Sequence, residues 1–350
     1  MFKLLIQWVI LFVVLTSCET DQSVPSWIED DNLTICQYLE KNREEYSKSY
    51  RLLEAGKVLI SLCGYNPYGE DYTLFLPTDE AIDRFIEQNQ DYVNFEEMLL
   101  DTGFIYPLTR YHILNNKVHT DEFPDGALND STLSGDRLVT GFYTEFDNQV
   151  IKVNNVAPII KANLKMTNGY IHVISEVLQR VKISGYDWLQ QQDDYSILAQ
   201  AMEYCKIRYR LLFDKYTIFA EYDSIYHRNG IMNIEDLINY VAPAGSSNST
   251  KLNSIYQFTA YHILSGEYYL NDLYWGNKGY WTLNNKSVMI NVGEEIKINP
   301  GINTYGITIS ESGDTTIIDY IRPVWEGCNN VTKTGPVHSI ADLLSSEPLP

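Results

Sequence analysis

Two tyrosine–histidine pairs are the residues of this chain whose type and spacing come closest to a functional site. Tyr111 and His112 lie in the segment RYHIL, and Tyr261 and His262 lie in AYHIL, 150 residues later. An imidazole beside a phenol can contact a binding partner, or it can be a core group that hydrogen-bonds a helix cap or a backbone carbonyl. Because an unpaired buried imidazole costs about 1–3 kcal/mol, such a bond would be selected for structure alone. We favour the structural role and keep direct binding by these four residues as the alternative.

Sequence motifs of enzymes are missing from the chain. It contains no HExxH, GxSxG, GxxxxGKS/T or GxGxxG segment, so the usual metal, nucleophile and phosphate sites are not indicated. Adjacent acidic residues such as Glu96 and Glu97 are explained by a helix start and a solvated surface. The segment Asp125–Asp136 is acidic and rich in turn residues but lacks the ligand order of a calcium loop, so we predict a surface loop there. The sequence predicts no enzyme, no cofactor and no metal site.

The two pairs lie within an internal repeat. Four segments recur in the same order, at offsets between 139 and 166 residues: Tyr72–Phe75 and Tyr216–Phe219, Asn94–Leu99 and Asn233–Ile238, Arg110–Leu114 and Ala260–Leu264, Gly169–Ile174 and Gly335–Ile340. Four of the six histidines belong to these segments, and the second copy has about 16 additional residues between its two histidines. Matches in a fixed order at similar offsets predict two copies of one domain.

Local patterns predict the elements that position the first pair. The aromatic and β-branched segment Tyr72–Leu76 is typical of a strand. Pro77 ends this strand, and Thr78 or Asp79 is expected to cap the helix that follows. The same two side chains are the expected hydrogen-bond partners of His112.

The end of each copy is predicted to be a strand. Gly169–Ile174 alternates in hydrophobicity after a turn at Asn168 and Gly169, and we expect His172 and its counterpart His338 to be structural. Helical patterns come first in each half and strand patterns later, which favours the α+β class over a parallel α/β sheet.

The first half resembles the fasciclin (FAS1) domain family. Tyr72–Ile82 is similar to the family motif TxFAPTDxAF, Tyr111-His112 to the mid-domain Tyr-His segment, and Asn168–Leu178 to the closing motif NGxIHxIDxVL. The resemblance implies two tandem domains of α+β fold, each a β-sandwich-like wedge with helices packed on one side. It also implies adhesion or ligand scaffolding rather than catalysis, and in some animal members the Tyr-His segment is linked to receptor adhesion.

The second copy departs from the family pattern at its first motif. It keeps Tyr261-His262 and the closing segment Gly335–Leu344, but Phe219–Asp223 replaces the Pro-Thr-Asp run, and Thr334 stands where the family has Asn. We therefore expect the same fold in the second copy, without the cap of the first motif. The second copy is the better candidate for a specialised binding face.

The first eighteen residues are predicted to be a lipoprotein signal peptide. Lys3 precedes an apolar run that ends at Leu15 and is too short for a comfortable membrane span. Leu15-Thr16-Ser17-Cys18 resembles the lipobox of bacterial lipoproteins, in which the cysteine carries the acyl chains that attach the protein to a membrane. Cys18 is therefore the predicted lipid attachment residue.

Domain boundaries follow from the repeat and from composition. The predicted units are the signal peptide at 1–18, a polar tether at 19–31, the first domain at 32–182 and the second domain at 187–344. The Gln-rich segment Ser184–Asp194 is expected to connect the two domains.

Charge and cysteine content limit the partners and the compartment. The 26 basic and 46 acidic residues give a formal net charge of -20, which repels phosphate backbones, so nucleic acid is not expected as a partner. The four cysteines besides Cys18 are Cys36, Cys63, Cys205 and Cys328. A bridge between Cys36 and Cys63 and free buried thiols are both compatible with an exported chain, and free thiols are favoured.

Together these features predict an outer-membrane lipoprotein that binds a protein or polysaccharide partner through tandem fasciclin-like domains. The acidic residues just after Cys18 favour the cell surface, with a periplasmic orientation as the alternative. A second hypothesis is a structural subunit of an outer-membrane complex, such as a glycan-uptake system, with no free ligand of its own.

Overall fold

The structure is a computed structural model in which the two halves of the chain are described over most of their length. The described residues are 32–345 without 68, 90, 146–147, 213, 301–305, 310–314 and 319, and for 306–309 and 315–318 the backbone alone is described. The predicted signal peptide, Cys18 and the tether at 19–31 lie outside the described residues. Among the residues that are described, no helix has the length and hydropathy needed to cross a membrane.

The first half begins with helices and ends with strands. Its helices are α1 (Ile35–Lys41), α2 (Ser47–Ala55), α3 (Asp79–Gln88), α4 (Phe95–Leu100) and α5 (Thr102–Tyr111). Its strands are β1 (Tyr72–Pro77), β2 (Ile113–Leu114), β3 (Gly126–Ser131), β4 (Arg137–Glu145), β5 (Asn148–Val153), β6 (Ala157–Met166) and β7 (Gly169–Ile174). They form one sheet in the order β2-β1-β7-β6-β5-β4-β3.

The second half repeats this order. Its helices are α6 (Gly185–Gln190), α7 (Ser196–Tyr204), α8 (Asp223–Arg228), α9 (Ile234–Val241) and α10 (Asn248–Tyr261). Its strands are β8 (Tyr216–Glu221), β9 (Ile263–Ser265), β10 (Gly276–Trp281), β11 (Ser287–Val292), β12 (Ile296–Ile298), β13 (Gly306–Ile309), β14 (Thr315–Ile318) and β15 (Val337–Ile340). The predicted α+β class is confirmed.

The two halves share the strand pairings around β1 and β8, although the strands of the second half are divided among three sheets. β1 pairs parallel with β7 and antiparallel with β2, and β8 pairs parallel with β15 and antiparallel with β9. The register places Phe75 beside His172 in the first half and Phe219 beside His338 in the second. The additional residues of the second copy include the antiparallel hairpin β13–β14.

Each half has its own apolar core, and the second core begins earlier than expected. Ser184 caps α6 by accepting a hydrogen bond from the Asp187 N–H. Tyr186 and Leu189 are buried in the same cluster as Leu198 of α7. The segment 184–194, expected to be a connection, is therefore part of the second domain, because its apolar face is needed to close that core.

The first domain contains a disulfide, which was one of the two alternatives compatible with the sequence. Cys36 and Cys63 are bonded, with 4.8 Å between their Cα atoms, and join α1 to the 3-10 turn Ser61–Cys63. The favoured alternative of free thiols is wrong for this pair. Cys205 and Cys328 are free, and burial raises the pKa of each thiol, to about 11 and about 12 respectively.

Candidate functional site

The first Tyr-His pair is a structural element of the first domain. His112 is 2% exposed, and its Nδ1–H donates to the Leu108 carbonyl at 2.9 Å. Its Nε2 accepts a hydrogen bond from the Leu178 N–H at 3.0 Å. Since both ring nitrogens are paired with backbone groups, His112 ties the end of α5 to the segment after β7. Burial lowers the pKa of His112 to about 4, so the ring is neutral.

The second Tyr-His pair has a carboxylate at the same place. His262 also donates from Nδ1 to a carbonyl one turn earlier, that of Phe258, at 2.9 Å. Its Nε2, however, lies 2.8 Å from Oε1 of Glu221, and both side chains are fully buried. The Leu344 N–H, counterpart of the Leu178 N–H, donates to the same oxygen at 2.8 Å. Glu221 is thus inserted between the histidine and the backbone donor.

The hydrogen bonds fix how many protons the Glu221–His262 pair holds. Nδ1 of His262 faces a carbonyl oxygen, which only accepts, so Nδ1 carries a proton. The contact from Nε2 to the carboxylate requires one more, so the pair is net neutral. The Tyr226 hydroxyl donates to the other carboxylate oxygen at 2.9 Å, so both oxygens of Glu221 have hydrogen-bond partners in the core. Burial and Glu221 together raise the pKa of Tyr226.

The partners expected for His112 are engaged elsewhere. Thr78 caps α3 by accepting from the Ala81 N–H at 3.1 Å. Asp79 accepts from the Ser47 hydroxyl at 2.6 Å and the Lys48 N–H at 2.9 Å, which caps the start of α2. The expectation that either residue bonds His112 is wrong, because both side chains point at helix starts.

The second copy lacks a side-chain cap on the helix after the first motif, as expected: Thr78 caps α3, whereas Tyr222 makes no side-chain hydrogen bond at the start of α8. It does keep the aspartate of that motif, which caps a different helix. Asp223 accepts from the Ser196 hydroxyl at 2.6 Å and from the Ile197 N–H at 2.9 Å, at the start of α7. Asp79 makes the same two kinds of bond at the start of α2. The loss of the Pro-Thr-Asp run therefore removed Pro and Thr while the functional Asp stayed.

The histidines of the closing strands have matching structural roles. His172 accepts from the Asn163 N–H and donates to the Val118 carbonyl, each at 3.1 Å. His338 accepts from the Asn329 N–H at 3.1 Å and donates to the Tyr268 carbonyl at 2.8 Å. Burial lowers the pKa of each ring to about 4.

The tyrosines of the two pairs are also buried. Tyr111 accepts a hydrogen bond from the Asn154 side chain at 2.8 Å, and burial raises its pKa to about 12. Tyr261 donates to the Ser287 carbonyl at 3.1 Å. The four predicted binding residues are therefore each at most 2% exposed and are hydrogen-bonded within their own domain, and direct binding by them stays a prediction.

A contact between the domains was missed in the sequence. The side-chain amide of Asn271 pairs with the Ala127 peptide: Oδ1 accepts from its N–H and Nδ2 donates to its carbonyl, each at 2.9 Å. Arg137 makes two hydrogen bonds to Asp272, at 2.7 and 2.9 Å. Tyr269, 2% exposed, packs on Ala127 and below the Arg137 guanidinium. These residues join β3–β4 of the first domain to the 3-10 turn Leu270–Asp272 of the second.

This contact corrects the prediction for Asp125–Asp136. The segment was expected to be a surface loop, but it contains β3, and Ala127 within it is fully buried. Its burial depends on a domain more than a hundred residues away, so no local pattern could have indicated it.

A polar cleft of about 530 Å³ lies beside the domain contact. Its charged lining includes two ion pairs, Arg180 with Asp136 at 2.5 Å and Lys215 with Glu267 at 2.9 Å. Within the described part of the chain, no group of three His, Cys, Asp or Glu side chains is arranged to hold a metal ion.

The chain has similarity to known proteins. Residues 44–180 match the family model of the fasciclin domain. Human periostin is 30% identical over 125 residues, which are 36% of this chain and 14% of periostin. A solved FAS1 domain pair from the insect cell adhesion molecule Fasciclin I is 17% identical over 86% of this chain and 96% of that chain, with a TM-score of 0.37.

The chain is similar to the fasciclin (FAS1) domain family over residues 44–180, within its first domain. Its second domain repeats the strand pairing and the buried histidines of the first.

Proposed function

We propose that this chain is a lipid-anchored adhesion protein of the outer membrane that presents two fasciclin-like domains to a protein or polysaccharide partner. The observation that carries the proposal is the fasciclin domain at residues 44–180. The proposed role is binding, because both ring nitrogens of His112 and of His262 are bonded to backbone or side-chain groups of the core.

The disulfide supports an exported location. Cys36 and Cys63 are oxidised to a bridge, and such bonds persist in the periplasm and at cell surfaces but are rare in the cytosol. The lipobox-like segment that ends at Cys18 supports attachment to a membrane through acyl chains. Cell-surface exposure is the proposed orientation.

Attachment is tested by Cys18→Ala. We expect the variant to move from the membrane fraction to the soluble fraction and to lose incorporation of a fatty-acid label. Cys205→Ala, which changes a free thiol of the second domain, is the matched control and should stay at the membrane. Retention of the Cys18→Ala chain in washed membranes would contradict the anchor. Protease treatment of intact cells then reports the orientation.

Adhesion is tested with the full chain immobilised on beads and offered envelope material from intact cells. Capture that periodate abolishes indicates a glycan partner, and capture that protease abolishes indicates a protein. Co-purification with a fixed set of membrane proteins, with no capture of added material, would favour the alternative of a structural subunit. If the chain neither captures envelope material nor co-purifies with membrane proteins, the adhesion proposal is contradicted.

A further inference from the structure

The second domain carries a sheet face that is exposed among the residues the structure describes. β10 and β11 are antiparallel, and their register places three residue pairs on the outer face: Asn277 with Asn291, Gly279 with Met289, and Trp281 with Ser287. The alternate residues Tyr280, Val288 and Ile290 are buried on the inner face. Trp281 is 67% exposed and Met289 is 42% exposed. We call these six outer residues the β10–β11 face.

The corresponding face of the first domain is the one that binds the second domain. Arg137 of β4 pairs with Ser131, the last residue of β3. The counterpart in the second domain is the pair of Ser287 with Trp281, the last residue of β10. Two residues further along, Val139 pairs with Ala127, and Met289 pairs with Gly279. Val139 and Ala127 are buried under Tyr269, whereas Met289 and Gly279 are exposed. The β10–β11 face is therefore the repeat of an established docking surface.

A second copy of the chain does not fit this face by repeating the domain contact. The counterpart of the turn that docks on the first domain is Thr120–Glu122. There Asp121 stands at the position of Asn271, and a carboxylate cannot donate to a peptide carbonyl as the amide does. Glu122 would meet Ser287 where Asp272 meets Arg137. The second bond of the amide–peptide pair and the ion pair of the contact would be lost.

The chemistry of the face points to a neutral partner. None of its six residues is ionisable, in a chain whose formal net charge is -20. Its polar groups are the Ser287 hydroxyl and the amides of Asn277 and Asn291, which are 2.8 Å apart and both donate and accept hydrogen bonds. These six residues offer no counter-charge to a charged peptide, and Lys297 of β12 lies opposite Asn291 at the edge of the face. The hydroxyl groups of a neutral sugar would find donors and acceptors among the six.

Exposed aromatic rings extend the face along the strand. Trp275, directly before β10, is 71% exposed, and a strand rise of about 3.4 Å per residue places it up to roughly 20 Å from Trp281. Indole rings pack against apolar surfaces such as the CH face of a pyranose, and exposed apolar patches commonly mark binding sites. The pair of strands is an open surface, which suits an extended polymer.

We propose that the β10–β11 face of the second domain binds a neutral polysaccharide chain, with Trp281 and Trp275 as stacking surfaces and the Asn277–Asn291 pair as hydrogen-bonding groups. The inference rests on the proposed adhesive function and names its ligand class. A protein partner at the same face is an outcome of the test.

The test is native gel electrophoresis of the full chain through a panel of neutral polysaccharides, namely glucans, mannans, xylans and galactans. Retardation by at least one of them gives the dissociation constant. Trp275→Ala with Trp281→Ala should weaken binding at least about tenfold, as expected for the loss of two stacking surfaces. Trp325→Ala is the matched control, because Trp325 is 54% exposed in the same domain but lies outside the face. Unchanged melting temperatures show that the variants fold.

Each outcome decides the inference separately from the proposed function. Retardation that the Trp275/Trp281 variant loses and Trp325→Ala keeps supports it. No retardation by any polysaccharide, or retardation that the double variant keeps, overturns it. If the double variant loses capture of protease-sensitive envelope material instead, the face binds a protein, so the polysaccharide inference fails while the adhesive function stands.

Discussion

The two domains use the same histidine in the same turn but give it different partners. In the first domain the Nε2 of His112 accepts directly from the Leu178 N–H. In the second, Glu221 stands between His262 and the equivalent Leu344 N–H. The residue at the position of Glu221 in the first domain is Pro77, which has no polar side chain.

This difference shows that the histidine keeps its place in the fold while its hydrogen-bond partner changes. We call the histidine and its partners the junction. The first domain buries a neutral imidazole. The second domain buries a hydrogen-bonded pair of an imidazole and a carboxyl group. Since the buried carboxyl has three donors around it, removing any one group in the second domain disturbs more bonds than in the first. The second domain is therefore expected to be more sensitive at this junction.

The largest effect is expected for Glu221→Ala. The change leaves His262, Tyr226 and the Leu344 N–H without their hydrogen-bond partner inside the core, and each unsatisfied buried group costs about 1–3 kcal/mol. The free energy of unfolding of the second domain, from denaturant titration followed by domain-specific proteolysis, measures the loss. Pro77→Ala is the control in the first domain, and a loss there as large as for Glu221→Ala would refute the contrast.

Acid should weaken the first domain more than the second through its histidines. The pKa of His112 and of His172 is lowered to about 4, and in the second domain His338 has the same shift. Since the unfolded chain binds protons below its ordinary pKa of about 6.5 and the folded ring does not, stability is full above that value. It falls as pH drops toward about 4, by roughly 3 kcal/mol for each histidine.

The measurement is the unfolding free energy of each domain between pH 7 and pH 4. His172→Gln should flatten the pH dependence of the first domain in that window and leave the second domain unchanged. An unaltered slope in the variant would show that His172 is not a source of the acid sensitivity.

The smallest of the three effects concerns the contact between the domains. Asn271→Ala removes two hydrogen bonds to the Ala127 peptide, and such bonds contribute about 1 kcal/mol each. The coupling between the two unfolding transitions should fall by roughly 2 kcal/mol. Asp121→Ala, the counterpart in the first domain, is the control and should leave the coupling intact. Equal effects of the two variants would mean that Asn271 does not hold the domains together.

Several parts of the site were predictable, because they depend on local patterns. The strand that begins at Tyr72 and the helix capped by Thr78 follow from residues within a few positions. The structural role of His172 was inferred from its apolar strand and agrees with its hydrogen bonds. The partners of His112 were mispredicted because nearby polar side chains were considered, whereas the real partners are backbone groups.

By itself, the amino-acid sequence determined the repeat, the class of fold and the positions of the buried histidines. Apolar periodicity, capping residues and turn glycines are recognised within a few residues. Gly169 and Gly335 are two such glycines, and a Cβ at either would meet a backbone oxygen of the neighbouring strand within about 2.0 Å.

Only the tertiary structure decided which groups meet. Glu221 reaches His262 across 41 residues, Asn271 reaches Ala127 across 144, and Cys36 reaches Cys63 across 27. Folding brings these pairs together through burial of apolar surface. This driving force is non-directional, so it produces no local sequence pattern at the residues that come into contact. For the same reason the sequence does not show that Trp281 is exposed while the matching surface of the first domain is buried. That difference depends on the positions of both domains in the structure.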